Sequence, residues 1–194
     1  MKNYLLVGVS LAVVGSLLVG CSTAPKSSGA RAEQSSEVQV AIDRAKRTDP
    51  GLQRFFDTAA GYAVFPNVGK GAVGVGGAYG RGQLFEKGQL VGYCSLTQAS
   101  VGLALGGQAY SEIIFFQDQN ALDRFKSGNY AFAAQASAVA LKSGASANAQ
   151  YADGVAVFTM SQAGLMFEAS VGGQKFAFEP LSGQNQTQYQ ASSQ

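Results

Sequence analysis

The stretch NVGKGAVGVGGAYGRG, Asn67 to Gly82, places Gly69, Gly71 and Gly74 at the G-x-G-x-x-G spacing of loops that wrap a pyrophosphate. That chemistry needs a helix opening directly after the glycines, so that its free N–H groups meet the phosphates. Val73, Gly74, Val75, Gly76 and Gly77 mix β-branched residues with glycine and open no helix. The segment therefore reads as extended chain, and no nucleotide is expected. Two acids, Glu112 and Glu168, interrupt apolar strand-like runs. Such a pair could share acid–base work. The competing reading turns both to solvent or to a Lys or Arg, because an alternating strand normally keeps one face outward. The chain has no histidine, which removes Ser-His-Asp and Cys-His catalysis and imidazole metal sites. The other acids are scattered without metal-loop spacing. No enzyme activity, metal or cofactor is expected.

A different chemistry is written at the start of the chain. Met1-Lys2 is followed by the apolar run Tyr4 to Val19, which has the form of a signal segment. Leu18-Val19-Gly20-Cys21 then resembles the bacterial lipobox, in which a peptidase cuts before the cysteine and that cysteine carries the lipid. The alternative, an uncleaved membrane anchor, gives no reason for L-V-G-C to stand directly after the run. Each buried acyl CH₂ contributes about 0.8 kcal/mol, so a multiply acylated Cys21 would hold the protein stably on a membrane. Ser22 is not the aspartate that favours inner-membrane retention in well-studied Gram-negative sorting. The expected location is the outer membrane, lipid-anchored, on its periplasmic face. Cys94 is then the only free thiol, and its apolar surroundings in LVGYCSL predict a small buried side chain.

The elements that carry these residues divide the chain into residues 1–20 as signal peptide, 21–35 as lipidated cysteine and flexible tether, 36–181 as one domain, and 182–194 as a disordered polar tail. A formal charge of +2 gives no argument for nucleic acid. The spacing predicts a helix from a Ser36/Gln39 capping box, with Val38, Ala41, Ile42 and Ala45 inward and Asp43, Arg44, Lys46 and Arg47 outward. Asp49-Pro50 starts a second helix carrying Leu52, Phe55, Phe56 and Ala59, with Gly61 as its stop. Strands follow at Tyr62 to Phe65, ending at Pro66-Asn67, then through the glycine stretch to Phe85, from Leu90 to Leu105, and from Gln108 to Phe116. Glu86-Lys87-Gly88-Gln89 forms a turn. Asp118 caps a third helix with Ala121, Leu122 and Phe125 on its apolar side and Gly128 at its end. The period of Tyr130 to Gly144 does not decide between helix and strand. Gly154 to Met160, Gly164 to Val171 and Gln174 to Phe178 close the domain as strands.

In this order the motifs GYAVFPNVGKGAVGVGGAYGRG, VGYCSLTQASVGLALGGQAYSEIIFF, ALDRF and GLMFEASVGGQKF resemble a bacterial member of the SYLF-domain family. The resemblance implies an α+β lipid-binding domain: short amphipathic N-terminal helices, a curved, mainly antiparallel β-sheet and one inserted helix. Eukaryotic relatives bind phosphoinositide membranes through a basic N-terminal helix, and some yeast members bind actin. Carried over, the lipid-binding role falls on Arg44, Lys46, Arg47 and Arg54, and the bent, tightly packed strand on Gly71, Gly74, Gly76 and Gly77. The family makes strand the expectation for Tyr130 to Leu141. The partners implied are membrane lipid, with anionic phospholipid suited to the basic helix, and an envelope protein; nucleotide and nucleic acid are not among them. The alternative function is a structural or partner-binding outer-membrane lipoprotein. An integral barrel fits poorly with the lipobox, the charged helices and the polar C-terminus.

Overall fold

The computed structural model describes residues 23–73, 75–101, 106–128, 138–162 and 173–181, and within these the stretches 71–76 and 100–108 by backbone alone. Cys21, Gly74, Glu168, most of 130–141, the strand expected at 164–171 and the tail from 182 lie outside the described residues.

The first helix, α1 (Ser28–Thr48), starts at Ser28 and not at Ser36. Ser27 is the true N-cap, its Oγ accepting from the Ala30 N–H at 3.1 Å. Residues 28–35, expected in the tether, are thus helical. Two contacts explain the extension. Gln34 continues the buried stripe of Val38, Ala41, Ile42 and Ala45, and the Glu179 carboxylate accepts from Thr23 N, Thr23 Oγ1 and Ala24 N, which ties down the segment ahead of the helix. After α1, Asp49 caps a 3₁₀ turn (Pro50–Leu52) that runs into α2 (Gln53–Thr58). Gly61 opens the next strand and stops no helix.

The strands are β1 (Gly61–Val73), β2 (Val75–Glu86), β3 (Gln89–Val101), β4 (Gly106–Phe116), β5 (Val139–Ala140), β6 (Val155–Ser161) and β7 (Gln174–Pro180), in the sheet order β5-β6-β4-β1-β2-β3-β7. Among the described strands only the short β5–β6 pair is parallel. β2 and β3 turn at Lys87 and Gly88, both at positive φ, as a two-residue hairpin with the strand twist requires. β1 does not end at Pro66. The register slips between Val64 and Asn67 against β2, and between Phe65 and Val68 against β4, so Pro66 sits on a bulge where no ladder N–H is needed. Its carbonyl accepts from Ser111 Oγ and Gln162 Nε2, both at 2.7 Å.

The sheet is rolled. Flat, β4 and β7 would stand roughly 19 Å apart, four strand spacings. Gln174 of β7 nevertheless reaches Glu112 of β4 at 3.0 Å, and Phe65 of β1 meets the Phe176 ring at 5.9 Å. The inserted helix α3 (Gln119–Lys126) fills the concavity with Ala121, Leu122 and Phe125, and the Phe125 ring lies 4.9 Å from Phe116 and 5.1 Å from Phe176. Asp118 caps α3 through the Ala121 N–H, as its sequence predicts. The convex face is covered by α1, the 3₁₀ turn and α2, whose Ile42, Leu52 and Phe55 pack with Val64, Phe115 and Phe158. Each fully buried phenylalanine contributes about 1.5–3 kcal/mol. This is an α+β fold built on a curved, mainly antiparallel β-sheet.

Candidate functional site: a basic corner outside, a polar cluster inside

The four basic residues expected to meet lipid lie at the corner where α1 gives way to α2. Lys46 and Arg47 occupy the last turn of α1, where cations also complement the helix dipole. The corner is held by Asp49, whose carboxylate accepts from Gly51 N at 3.1 Å and Ser146 N at 2.6 Å. Burial acts to raise its pKa, but hydrogen bonds from Ser146, Gly51 and Gly144 outweigh it and hold the group below the ordinary value. Arg54 lies across Phe55, 4.8 Å from the ring centre, and donates through Nη2 to the Ser146 and Ala149 carbonyls. Arg44 donates to the Ser161 carbonyl at 2.9 Å, and Lys46 Nζ sits 4.5 Å above the Phe56 ring. Arg47 has no hydrogen bond or ion pair among the described residues. Arg44, Arg47 and Arg54 are exposed and Lys46 half-buried, the exposed Asp43 and Asp57 stand on the same two helices, and three of the four cations also serve the fold.

The expected glycine strand is present, but the tightest positions are others. Gly71 and Gly76 pair within β1 and β2, and a Cβ at Gly77 would stand 3.2 Å from the Gln98 carbonyl. At Gly82 a Cβ would collide with the Val64 carbonyl and approach the Phe65 ring to 2.7 Å; at Gly80 it would meet Val68 at 2.8 Å, and at Gly61 the Phe85 carbonyl at 2.6 Å. These glycines, and Gly92 against the Phe178 ring and the Glu179 carbonyl, are places where the packing leaves no room for a side chain. Gly69, the first of the phosphate-loop trio, faces open space. It lies in a strand with no helix following it, so the nucleotide geometry is not formed.

Inside the roll, Glu112 turns neither to solvent nor to a cation. It is fully buried, and its Oε2 accepts from Gln174 Nε2. The same amide reaches Tyr110 Oη at 3.4 Å, and Thr159 is the cross-strand partner of Glu112 in the register. Among the described residues Glu112 Oε1, Gln174 Oε1 and Thr159 Oγ1 have no partner. Burial pushes the Glu112 carboxyl up to about 8, only partly offset by the Gln174 amide. Burial first, then the neighbouring Glu112 charge, raises the Tyr110 hydroxyl as well. The sequence pointed to Glu112 but gave no sign of Gln174, Tyr110 or Thr159; only a register across a rolled sheet joins them. Cys94 is buried as expected, and burial pushes its thiol up.

The family model whose description is Las17-binding protein actin regulator, Ysc84, matches residues 97–193. The chain belongs to the Ysc84, or SYLF, family. It is also similar to Beta cell expansion factor A of Aeromonas veronii, 27% identical over 152 residues that make up 76% of this chain and 56% of that protein. The chain thus spans about half the length of the curated relative it matches. The Ysc84 match begins within β3 and takes in Tyr110, Glu112, Thr159 and Gln174, whereas α1, α2 and their basic corner lie ahead of it. No described helix is long and apolar enough to cross a membrane.

Proposed function

We propose that this is a non-enzymatic lipoprotein of the outer membrane, anchored through an acylated Cys21 on the periplasmic face, whose Ysc84-type domain associates with membrane lipid. The observation that supports it best is the basic corner: Arg44, Arg47 and Arg54 are each exposed, and main-chain carbonyls hold Arg44 and Arg54. Each such residue near an anionic surface contributes on the order of 1 kcal/mol, screened over roughly 10 Å at 0.1 M salt. That affinity is modest, so the acyl chains remain the main anchor and the corner sets the orientation of the domain or recruits a second membrane. Flotation of the chain lacking residues 1–21 with anionic and neutral liposomes tests the reading against Arg44→Gln/Lys46→Gln/Arg47→Gln. Salt-sensitive binding of the wild type, lost in the triple variant, is the expected result. Equal flotation of both proteins, or of neither, removes the basic-corner mechanism and leaves the partner-binding lipoprotein. Mass spectrometry of the mature N-terminus decides the anchor separately, and an unmodified Cys21 overturns it.

A further inference from the structure

Between α1 and the bulged part of the sheet runs a groove of about 500 Å³ that the basic corner does not use. Its α1 wall carries Glu33 and Glu37, one helical turn apart and exposed, neither with a partner among the described residues. Two like charges at this spacing repel each other mildly on a bare helix. Between them the wall carries Gln34, only 7% exposed, whose Nε2 donates to the Gly82 carbonyl at 3.3 Å while its Oε1 has no donor. That oxygen is closed off from solvent, so Gln34 belongs to the wall itself and the two carboxylates are what the wall offers a ligand. The opposite wall, on β2, carries the reverse charge. Arg81 is exposed and gives its Nε to Tyr79 Oη at 2.9 Å, which leaves the outer edge of the guanidinium for an anion. Tyr79 is itself 50% exposed, one of two large hydrophobic side chains so open among the described residues. The two walls form no ion pair with each other. The groove continues past Glu37, Pro66 and Asn67 into a second cavity of about 400 Å³ lined by Arg44 and Val40.

We infer that this groove binds a small zwitterion of the amino-acid or short-peptide class. Its primary ammonium lies on Glu33 and Glu37, its carboxylate on Arg81, and its aliphatic part against the Tyr79 ring. The volume falls within the range of small-molecule sites. Guanidinium–carboxylate pairing supplies direction as well as charge. An ammonium alone would leave Arg81 unmatched and a carboxylate alone would meet two repelling acids, so both charges are required of the ligand. The continuation toward Arg44 accommodates a second residue, which favours a peptide end over a free amino acid.

The test is a ¹⁵N NMR titration of the full chain in detergent, following the Gln34 side-chain amide and the Gly80 N–H. Probes are alanine, lysine and alanyl-lysine, with butylamine and butyrate as single-charge controls. Saturable shifts with the zwitterions are expected, at least tenfold tighter than with either control. Arg81→Gln and, independently, Glu33→Gln/Glu37→Gln should each weaken binding at least tenfold and leave the rest of the spectrum in place. Tighter binding of alanyl-lysine than of alanine and lysine assigns a peptide end, and equal binding assigns a free amino acid. No saturable shift, butylamine or butyrate binding as well as the zwitterions, or wild-type affinity in both variants overturns the inference.

Discussion

The two faces of the rolled sheet bury carboxyl groups in opposite ways. On the convex side Asp49 is closed in beneath the corner of α1 and α2, yet main-chain N–H groups of Gly51 and Ser146 point at it and its pKa falls. On the concave side Glu112 receives one side-chain amide, and burial pushes it up to about 8. The difference is a count of donors. Loop backbone can supply several N–H groups to one carboxylate, whereas the strands around Glu112 have spent theirs on the ladder. Asp49, met by turn N–H groups, is therefore held toward its charged form, and Glu112, set among strands, toward its neutral form.

The largest expected effect lies at Glu112. Its folded pKa of about 8 stands above the ordinary 4.5, so between these values the folded protein keeps a proton that the unfolded chain has lost. Stability contributed by this group is full below about pH 4.5, declines as pH rises through the window and levels off above about 8. At roughly 1.4 kcal/mol per pKa unit the whole change is on the order of a few kcal/mol. Glu112→Gln stays neutral and removes it. Urea melts at pH 5, 7 and 9 should show the variant gaining on the wild type as pH rises; parallel curves would break the contrast between the two faces.

The concave face is also where glycine is compulsory. Gly82→Ala places a methyl group against the Val64 carbonyl and the Phe65 ring and should cost about 1–3 kcal/mol. Gly69→Ala, with open space around it, should be neutral or slightly stabilising. Equal thermal shifts for the two would mean that the roll is looser than these distances require.

At Asp49 the sign reverses. Its lowered pKa gives a contribution that is present above about 3.8 and lost as pH falls through the folded value. Asp49→Ala should cost about 1–2 kcal/mol at pH 7, within the range for a lost cap, and the deficit should shrink in acid. A deficit independent of pH would assign the loss to packing alone.

How much of this could be read from residue order depends on the range of the interactions. The hairpin at Lys87-Gly88, the caps at Asp49 and Asp118 and the apolar stripe of α1 are local, and their residues announce them. The start of α1 at Ser28 is not legible locally, because Glu179, far along the chain, pins Thr23 and Ala24. Pro66 looked like a strand end because its compensation comes from Ser111 and Gln162. The inward turn of Glu112 follows the alternation of β4, which sets it on the concave face with Tyr110, Ile114 and Phe116; what residue order does not reveal is the roll that brings Gln174 to it. Among the basic residues, helical spacing sets Arg44 and Arg47 on the outward side of α1 but does not show the carbonyls and rings that engage Arg44, Lys46 and Arg54.

That division among the cations gives the smallest expected effect and the sharpest separation of structure from binding on the convex face. Arg54 clamps the Ser146 and Ala149 carbonyls beside Asp49, so Arg54→Gln should lower the melting temperature as well as any lipid affinity. Arg47 holds nothing among the described residues, so Arg47→Gln should leave the melting temperature within a degree or so, since surface changes of this kind usually stay within about 0.5 kcal/mol. One basic residue contributes about 1 kcal/mol at an anionic surface, so its loss should reduce partitioning onto anionic vesicles about fivefold at low salt, with a smaller reduction at high salt. The paired measurement is calorimetry and flotation on the same two variants. If Arg47→Gln binds like the wild type while Arg54→Gln loses both stability and binding, the corner acts through its fold and not its charge, and the surface that meets a partner must be sought elsewhere on the domain.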